Sequence, residues 1–419
     1  MDARLQELVD YTKEKLGLGN YYLEEYYLRR HVSSTLKTVY TLEMEWFPKH
    51  IIARTEDDEV PDGTASVSIF IDSKKLKNIM FIGGKSFLEK PLLENRDKQT
   101  TIHWIEQETG MSFKEDFILW KKEERSLSFT KAINGVEVHP REWVELEFDE
   151  AGELVTYWMY GDLTEKTSAS KENYTLNLQN AEPYIRKHFG LWDFPIDELE
   201  QLIRAYTIEE VYIRNDLSGT LPLELIQNTQ DVDYILRWDE PIHKPFKRKP
   251  VKLQEELKPE QAYICEPHPE TLQLKNEDVQ ECVKEVRCFL QRVYPNDSGK
   301  WKMTNIHRNY DYIDVKLEQL QKSRSIYNRK LLIMLDSSSF KAFNYMDNEP
   351  MLERFKEYKM PGETKISQEA AYEAVKKHFI LKPRYVYDKE NGEYVLCGFL
   401  DCHHYVDAET GKVGLLNDL

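Results

Sequence analysis

The sequence predicts an α+β fold made of tandem units, each a helix followed by an antiparallel sheet, in four or five copies. Two observations predict it. One helical segment occurs twice, as AEPYIRKHFGL over Ala181–Leu191 and AYEAVKKHFIL over Ala371–Leu381, with Ala, Lys, His, Phe and Leu in register. The second observation is a strand that ends in Asp, turns and continues as another strand, which recurs along the chain.

Several segments show the apolar periodicity of amphipathic helices. Residues 3–17 form the first, and its apolar face holds Leu5, Leu8, Val9, Thr12 and Leu16. A second, over 98–109, follows Asp97 as N-cap and stops at Gly110, which suits the left-handed position after a helix. Further helices are expected over 181–189 after Asn180, over 277–293, and over 368–379 after Ser367 as N-cap.

The strand–turn–strand element occurs at residues 69–80, 145–158, 333–343 and 404–416, and a weaker fifth copy is read at 231–246. Strand character is clearest where Val144, Leu146 and Phe148 alternate with Glu145 and Glu147, the period of a half-buried strand. Gly152 and Gly411 supply the positive φ of a tight hairpin turn, and Asn134-Gly135 marks another hairpin.

Residues 241–271 differ in composition from the segments around them. Six prolines occur there among Lys and Glu: Pro241, Pro245, Pro250, Pro259, Pro267 and Pro269. Because proline at this density blocks regular strand ladders, the segment is interpreted as a connector. It would separate an N-terminal half, 1–240, from a C-terminal half, 272–419. A proline-rich ligand segment is the functional alternative.

Charge and composition exclude several classes of partner. The chain has 419 residues, a net charge of -17 and 12% aromatic residues, so it is expected to fold and to repel nucleic acid and anionic membranes. No apolar stretch approaches the ~18 residues that a membrane span requires. The first residues lack the pattern of a signal peptide, so a cytoplasmic location is expected, with five reduced cysteines.

Two motifs resemble ligand sites. Gly83-Gly84-Lys85-Ser86 follows a strand as a phosphate-binding loop would, but Ile79 stands where that motif needs glycine, so an ordinary loop is expected. Cys397, Cys402, His403 and His404 have the chemistry of zinc ligands. Because Cys402 and His403 are neighbours in or beside a strand, they would point to opposite faces, and no metal is expected.

Repeated histidines and clustered tyrosines are each open to a functional and a structural interpretation. His188 and His378 occupy the same position of the repeated helix and are either ligands or, as we favour, parts of a helix face near its C-terminus. The stretch YYLEEYYL, residues 21–28, could stack on sugars or peptides, although packing of the tyrosines is favoured. No catalytic or cofactor motif is recognised, so neither catalytic nor cofactor-binding residues are predicted.

The elements that close on FDEAGELVTYW (148–158) and YVDAETGKVG (405–414) resemble the PepSY type of small, cystatin-like α+β module. Their tandem arrangement resembles the YcdB/YcdC repeat family of spore-forming bacteria. The resemblance covers about 71–160 and 360–419. It implies no enzyme activity, and because PepSY modules occur in protease propeptides, it implies a peptidase-binding or inhibitory role. No functional residues transfer.

Two functions from different classes follow. The first is a non-catalytic protein that binds a protein or peptide, with no cofactor, since repeated antiparallel sheets expose edges to which an extended peptide can add. The second is a hydrolase whose site is assembled from residues scattered across the units.

Overall fold

The computed structural model describes the whole chain except residues 51–59, 94, 168, 170, 171, 224–227, 252–255 and 321–324. Contacts among its residues divide the chain into two compact units. Unit 1 contains Met1–Glu172, Glu255–His268 and Pro383–Leu396, and unit 2 contains Asn173–Gln254, Pro269–Lys382 and Cys397–Leu419. Each unit is therefore assembled from segments that are distant in sequence.

The α-helices of the described chain are α1 Ala3–Lys15, α2 Lys98–Thr109, α3 Glu182–His188, α4 Pro259–Tyr263, α5 Asn276–Val293, α6 Glu349–Phe355 and α7 Gln368–Val375. The predicted ends of α2 are confirmed, since Asp97 Oδ1 accepts from Gln99 N at 2.8 Å and Gly110 has φ 73°. Ser367 caps α7 as predicted. Asn180 does not cap α3, because Ala181 is the N-cap and no side chain caps it.

The strands within Met1–Glu172 are β1 Tyr21–Val32, β2 Thr38–Pro48, β3 Ala65–Phe70, β4 Leu76–Phe81, β5 Phe117–Lys122, β6 Ser126–Ile133, β7 Val136–His139, β8 Trp143–Phe148 and β9 Leu154–Tyr160. Those that follow are β10 Phe189–Ile196, β11 Gln201–Ile208, β12 Val211–Arg214, β13 Thr220–Pro222, β14 Gln230–Leu236, β15 Trp301–Asn309, β16 Tyr312–Gln319, β17 Lys330–Asp336, β18 Ala342–Asp347, β19 Ile380–Asp388, β20 Glu393–Asp401, β21 His404–Asp407 and β22 Val413–Leu415.

Unit 1 is built on an antiparallel sheet with the order β1-β2-β3-β4-β9-β8-β6, and β5 pairs with β6. Helices α1 and α2 supply Leu5, Leu8 and Ile105 to its core, where they meet the inward side chains of the strands. The helices cover one face, so the opposite face carries the alternate residues of each strand. We call this opposite surface the outer face.

Unit 2 contains two cores. In one, the strand order β14-β15-β16-β17-β18 forms a sheet on which α5 packs, with Val283, Val286 and Leu290 buried as the sequence periodicity predicts. In the other, α3 and α7 pack together with β11 and β21. The rings of Phe189 and Phe379 lie there with centroids 6.2 Å apart.

The repeated helices lead into strands that pair reciprocally. In the first copy, α3 is followed by β10, β11 and β12, and in the second, α7 is followed by β19, β20 and β21. Strand β11 of the first copy pairs with β21 of the second, and β12 of the first pairs with residues Cys397–Leu400 of β20. Each copy therefore completes its pairing through the other.

This arrangement corrects one expectation. Ile185, Phe189, Val375 and Phe379 of the repeated segments are buried, with at most 7% exposure. The two helices do not pack on separate sheets, however, because one core contains both of them. The protein is α+β with a predominance of strands, and an arrangement in four or five tandem units is not confirmed.

The segment read as a fifth strand–turn–strand element differs from that prediction. Within 231–246 there is one strand, the main part of β14. It pairs with β15, which begins at Trp301, and not with a second strand inside 231–246. The predicted halves 1–240 and 272–419 also differ from the two contact-based units. Residues 252–255 of the 241–271 connector lie outside the described chain, and cleavage of that connector by proteases stays a prediction. Among the described residues, no helix has the length and apolar character needed to cross a membrane.

Candidate functional site

The outer face of unit 1 carries a group of aromatic side chains on β5, β8 and β9. The ring centroids of Trp143 and Tyr160 are 6.0 Å apart with an interplanar angle of 19°, and those of Trp120 and Trp143 are 6.3 Å apart. Trp120, Trp158 and Tyr160 are 44%, 43% and 56% exposed. Large aromatic side chains usually contribute to a core, so this exposure indicates a contact surface.

Strand register explains why these residues share a face. Val144 and Leu146 of β8 and Tyr157 and Met159 of β9 belong to the core of unit 1. The alternate residues therefore point away from the helices. Opposite pairs across these strands are Trp143 with Tyr160, Glu145 with Trp158, and Glu147 with Thr156. Glu145 and Trp158 therefore occupy opposite positions on neighbouring strands of this face, and the Glu145 carboxylate accepts a hydrogen bond from Ser128 Oγ of β6 at 3.3 Å.

The outer face already shows how it holds a cation. The Arg141 guanidinium lies 4.5 Å from the centroid of the Trp120 ring and pairs with Glu137 at 3.3 Å. An aromatic face attracts a cation through its quadrupole, and a carboxylate adds charge attraction. Arg141 of this chain therefore contacts both an aromatic ring and a carboxylate.

Strand β1 is the terminal strand of the unit 1 sheet and pairs only with β2 in the described chain. Tyr21 is buried, but Tyr22, Tyr26 and Tyr27 are 39%, 36% and 44% exposed. Tyr21 is therefore packed as favoured, and Tyr22, although exposed, has its ring centroid 6.1 Å from that of Phe47. An edge strand presents backbone groups that a second chain can pair with. A bulge between Leu23 and Glu25 interrupts the register near one end.

A half-buried basic pair lies in unit 1, between β1 and β4. Lys77 Nζ is 3.0 Å from His31 Nε2. Burial lowers the pKa of His31 to about 4, and the charges of Lys77 and His268 act in the same direction. Burial also lowers the pKa of Lys77, while the Glu43 and Asp162 carboxylates oppose it. His31 is accordingly neutral at pH 7 and can accept a hydrogen bond from the Lys77 ammonium.

In unit 2, two acidic side chains meet beside a histidine where β11 and β20 end. His403 Nε2 lies 3.3 Å from Asp401 Oδ2. Partial loss of solvent raises the pKa of Glu210, and the adjacent Asp401 raises it further. The Asp401 carboxylate therefore disfavours the charged form of Glu210. A carboxyl group with a raised pKa beside a second carboxylate and a histidine has the residue types that acid–base catalysis uses.

The residues that resembled a metal site are dispersed. Cys397 and Cys402 are buried, whereas the His403 side chain is 65% exposed. His404 stacks on His378, with ring centroids 3.7 Å apart. Within the described ranges, no group of three or more His, Cys, Asp or Glu side chains could hold a metal ion. The absence of bound zinc stays a prediction.

Gly83–Ser86, which resembled a phosphate-binding loop in sequence, does not lead into a helix in the structure. A single short 3₁₀ turn over Ile82–Gly84 follows β4, and no helix begins at Lys85. Lys85 Nζ instead contacts Asp62 Oδ2 at 2.6 Å.

Of the repeated histidines, His188 Nδ1 lies 3.2 Å from Glu209 Oε2, whereas His378 stacks on His404, so the two histidines have different neighbours.

A cleft of about 300 Å³ lies between the repeated helices of unit 2, lined by Arg186, Phe189, Gln368, Glu369 and Tyr372. Arg186 contacts Glu369 at 2.7 Å and lies 4.1 Å from the centroid of the Tyr372 ring. The polar side chains of the cleft are therefore engaged with one another, which favours a structural role.

The sequence analysis identified neither the position of Glu145 opposite Trp158 nor the proximity of Glu210 to Asp401. The signal for the first was the alternation across residues 143–160, which places Glu145 and Trp158 on one face once the hairpin is aligned. The second depends on pairing between β12 and β20, which no local pattern contains.

No protein-family model matches the chain, and no curated protein matches it. Among solved structures, the Bacillus megaterium YpeB C-terminal domain is similar over 82% of this chain and 96% of that chain, with 7% sequence identity and a TM-score of 0.24. A likeness at that TM-score carries no argument about this chain.

Proposed function

We propose that this protein binds another polypeptide without turning it over, and that the partner adds as a strand beside β1. The observation that carries the proposal is a 12-residue terminal strand with three exposed tyrosines. In this mode, backbone hydrogen bonds provide affinity and alternate side chains provide specificity. Tyr22 and Tyr27 would contact the partner from one face of β1 and Tyr26 from the other.

The charge of the chain supports a polypeptide partner over nucleic acid or a membrane. A net charge of -17 repels phosphate-rich surfaces and favours partners with basic segments. Within the proposal we include a cytoplasmic location, with no nucleic-acid partner and no membrane insertion.

The finer architecture also belongs to this proposal. We infer that the two reciprocal copies descend from a tandem series of PepSY-like units related to the YcdB/YcdC repeat family. The support is the shared register of Ala181–Leu191 and Ala371–Leu381. Under that relationship the bound polypeptide would be a peptidase, whose activity this chain modulates.

The test is selection of binding peptides from a displayed random library, followed by amide hydrogen exchange with and without a selected peptide. Strand addition predicts that β1 amides gain protection, because outward N–H groups become hydrogen-bonded. Protection confined to other strands, or no selected peptide at all, would refute binding at β1.

A matched pair of variants sharpens this test. Replacing Tyr22, Tyr26 and Tyr27 together with Ala should weaken peptide binding by about tenfold or more, since exposed aromatic side chains commonly dominate such interfaces. Tyr327→Ala removes a tyrosine that is 43% exposed in unit 2 and should leave binding unchanged. Equal losses in both variants would contradict a site at β1.

The hydrolase remains a second candidate, because Glu210, Asp401 and His403 meet in unit 2 as an acid–base group. We propose its test as a screen of peptide, ester, phosphate and glycoside substrates with the full chain and with Glu210→Gln. Turnover that the substitution abolishes would establish the hydrolase and overturn the binder. Absence of turnover in both proteins favours the binder.

A further inference from the structure

We propose that the outer face of unit 1 recognises a cationic side chain of a polypeptide, lysine or arginine, between the Trp158 indole and the Glu145 carboxylate. This site is separate from β1 and goes beyond strand addition.

Trp158 is placed to act as the aromatic wall of such a site. It lies on β9 with 43% exposure and pairs in register with Glu145 of β8 on one side and Asn78 of β4 on the other. In the described chain, no ring or cation packs against its indole. A large exposed indole at the middle of a sheet face offers contact area to a ligand.

Two carboxylates supply the charge. Glu145 and Glu147 are alternate residues of β8 and therefore point to the same face. Neither makes an ion pair within the described ranges. Glu145 has one hydrogen-bond partner, the Ser128 hydroxyl at 3.3 Å. The nearby Lys121 pairs with Glu123, which raises the pKa of Lys121, and the more distant charge of Glu145 acts in the same direction without forming an ion pair.

The neighbouring Trp120 provides an internal precedent. Its ring is covered by Arg141, which also contacts Glu137, a carboxylate whose shorter ion pair is with Arg384 at 2.8 Å. Trp158 and Glu145 repeat the ring and the carboxylate of that arrangement on the same face, without a guanidinium from this chain. The charge is complementary to a basic segment, and the overall charge of -17 would attract such a segment from a distance.

The experiment uses the full chain labelled with 5-fluorotryptophan, whose eight tryptophans give separate ¹⁹F signals. Trp158→Phe assigns the relevant signal. The titrant is a capped peptide that alternates lysine and threonine, and its comparison is the same peptide with acetyllysine. We expect the Trp158 signal to shift with the lysine peptide and to be unaffected by the acetylated one.

Glu145→Gln should weaken binding of the lysine peptide by about fivefold or more. A loss of this size is in keeping with a cation held by one ring and one carboxylate. Glu153→Gln, an exposed carboxylate in the β8–β9 turn, makes the same change in net charge away from Trp158 and should bind normally. Thermal melting of each variant confirms that it is folded.

Three outcomes would overturn the site: an equal response to acetyllysine, an equal loss in Glu145→Gln and Glu153→Gln, or a Trp158 signal that moves only with a chito-oligosaccharide. Protection of β1 in hydrogen exchange does not depend on Trp158, so failure here leaves the strand-addition proposal standing. Failure at β1 likewise leaves this site standing.

Discussion

Phe189 and Phe379 stand at the same register position of the two repeated helices and meet in one core, whereas the histidines that precede them have different surroundings. His188 lies beside Glu209, and His378 stacks on His404. The copies also begin differently, with a hydroxyl cap at Ser367 and no side-chain cap at Ala181. The repeated sequence therefore reproduces the buried contacts. The polar neighbours differ, because they come from residues outside the repeated segment.

The largest expected effect comes from the two phenylalanines. Phe379→Ala should lower the free energy of unfolding by ~3–5 kcal/mol, and Phe189→Ala by a similar amount, because each leaves a cavity in a packed core. Their rings are in contact, so the double variant should lose less than the two single losses combined. Urea denaturation measures the free energy of unfolding of the two single variants and the double variant. Strictly additive losses would contradict a shared core in which the two rings are in contact.

A smaller effect is expected at the helix start that only one copy caps. The Ser367 hydroxyl accepts from Ala370 N at 3.2 Å, so Ser367→Ala should lower the free energy of unfolding by ~1 kcal/mol. Ser367→Asp retains an acceptor and should preserve stability. If both variants lose stability equally, the hydrogen bond of the cap does not stabilise α7. The presence of a side-chain cap at α7 and its absence at α3 would then have no effect on stability.

The bridge between the helices should contribute less still. Arg186 pairs with Glu182 and Glu369 at a surface where all three side chains are at least 40% exposed. Arg186→Met should therefore lower the free energy of unfolding only slightly, and less in high salt, since exposed ion pairs are weak and screened. A salt-independent loss would point instead to the packing of Arg186 over Tyr372.

The smallest effect concerns pH. Partial burial lowers the pKa of His378, and His404 and Lys377 lower it further, so the folded state prefers neutral His378. The unfolded chain then binds more protons, and stability falls as pH decreases below about 6.5. His378→Gln should reduce this slope in denaturation curves measured between pH 7 and pH 5. An unchanged slope would show that stacking on His404 does not disfavour the charged form.

The parts of this fold that the sequence predicted are those fixed by nearby residues. Asp97 and Gly110 bound α2, and the turns at Gly152 and Gly411 join antiparallel strands, because caps and tight turns depend on a few adjacent residues. Pairing of β12 with β20 joins residues far apart in sequence and left no local signal. The exposure of Tyr27 was missed for the same reason, since only the strand order makes β1 an edge.

The reciprocal pairing of the two copies has a consequence for how the chain reaches its native state. Tyr206 of β11 pairs with Val406 of β21, so the contact closes a loop on the order of 200 residues. Contacts of this separation slow folding, because their loop-closure entropy is lost before the packing that compensates it. During synthesis, the first copy would emerge and remain without this pairing until about 200 further residues had been made. Its unpaired strands would meanwhile be exposed to chaperones and to other nascent chains.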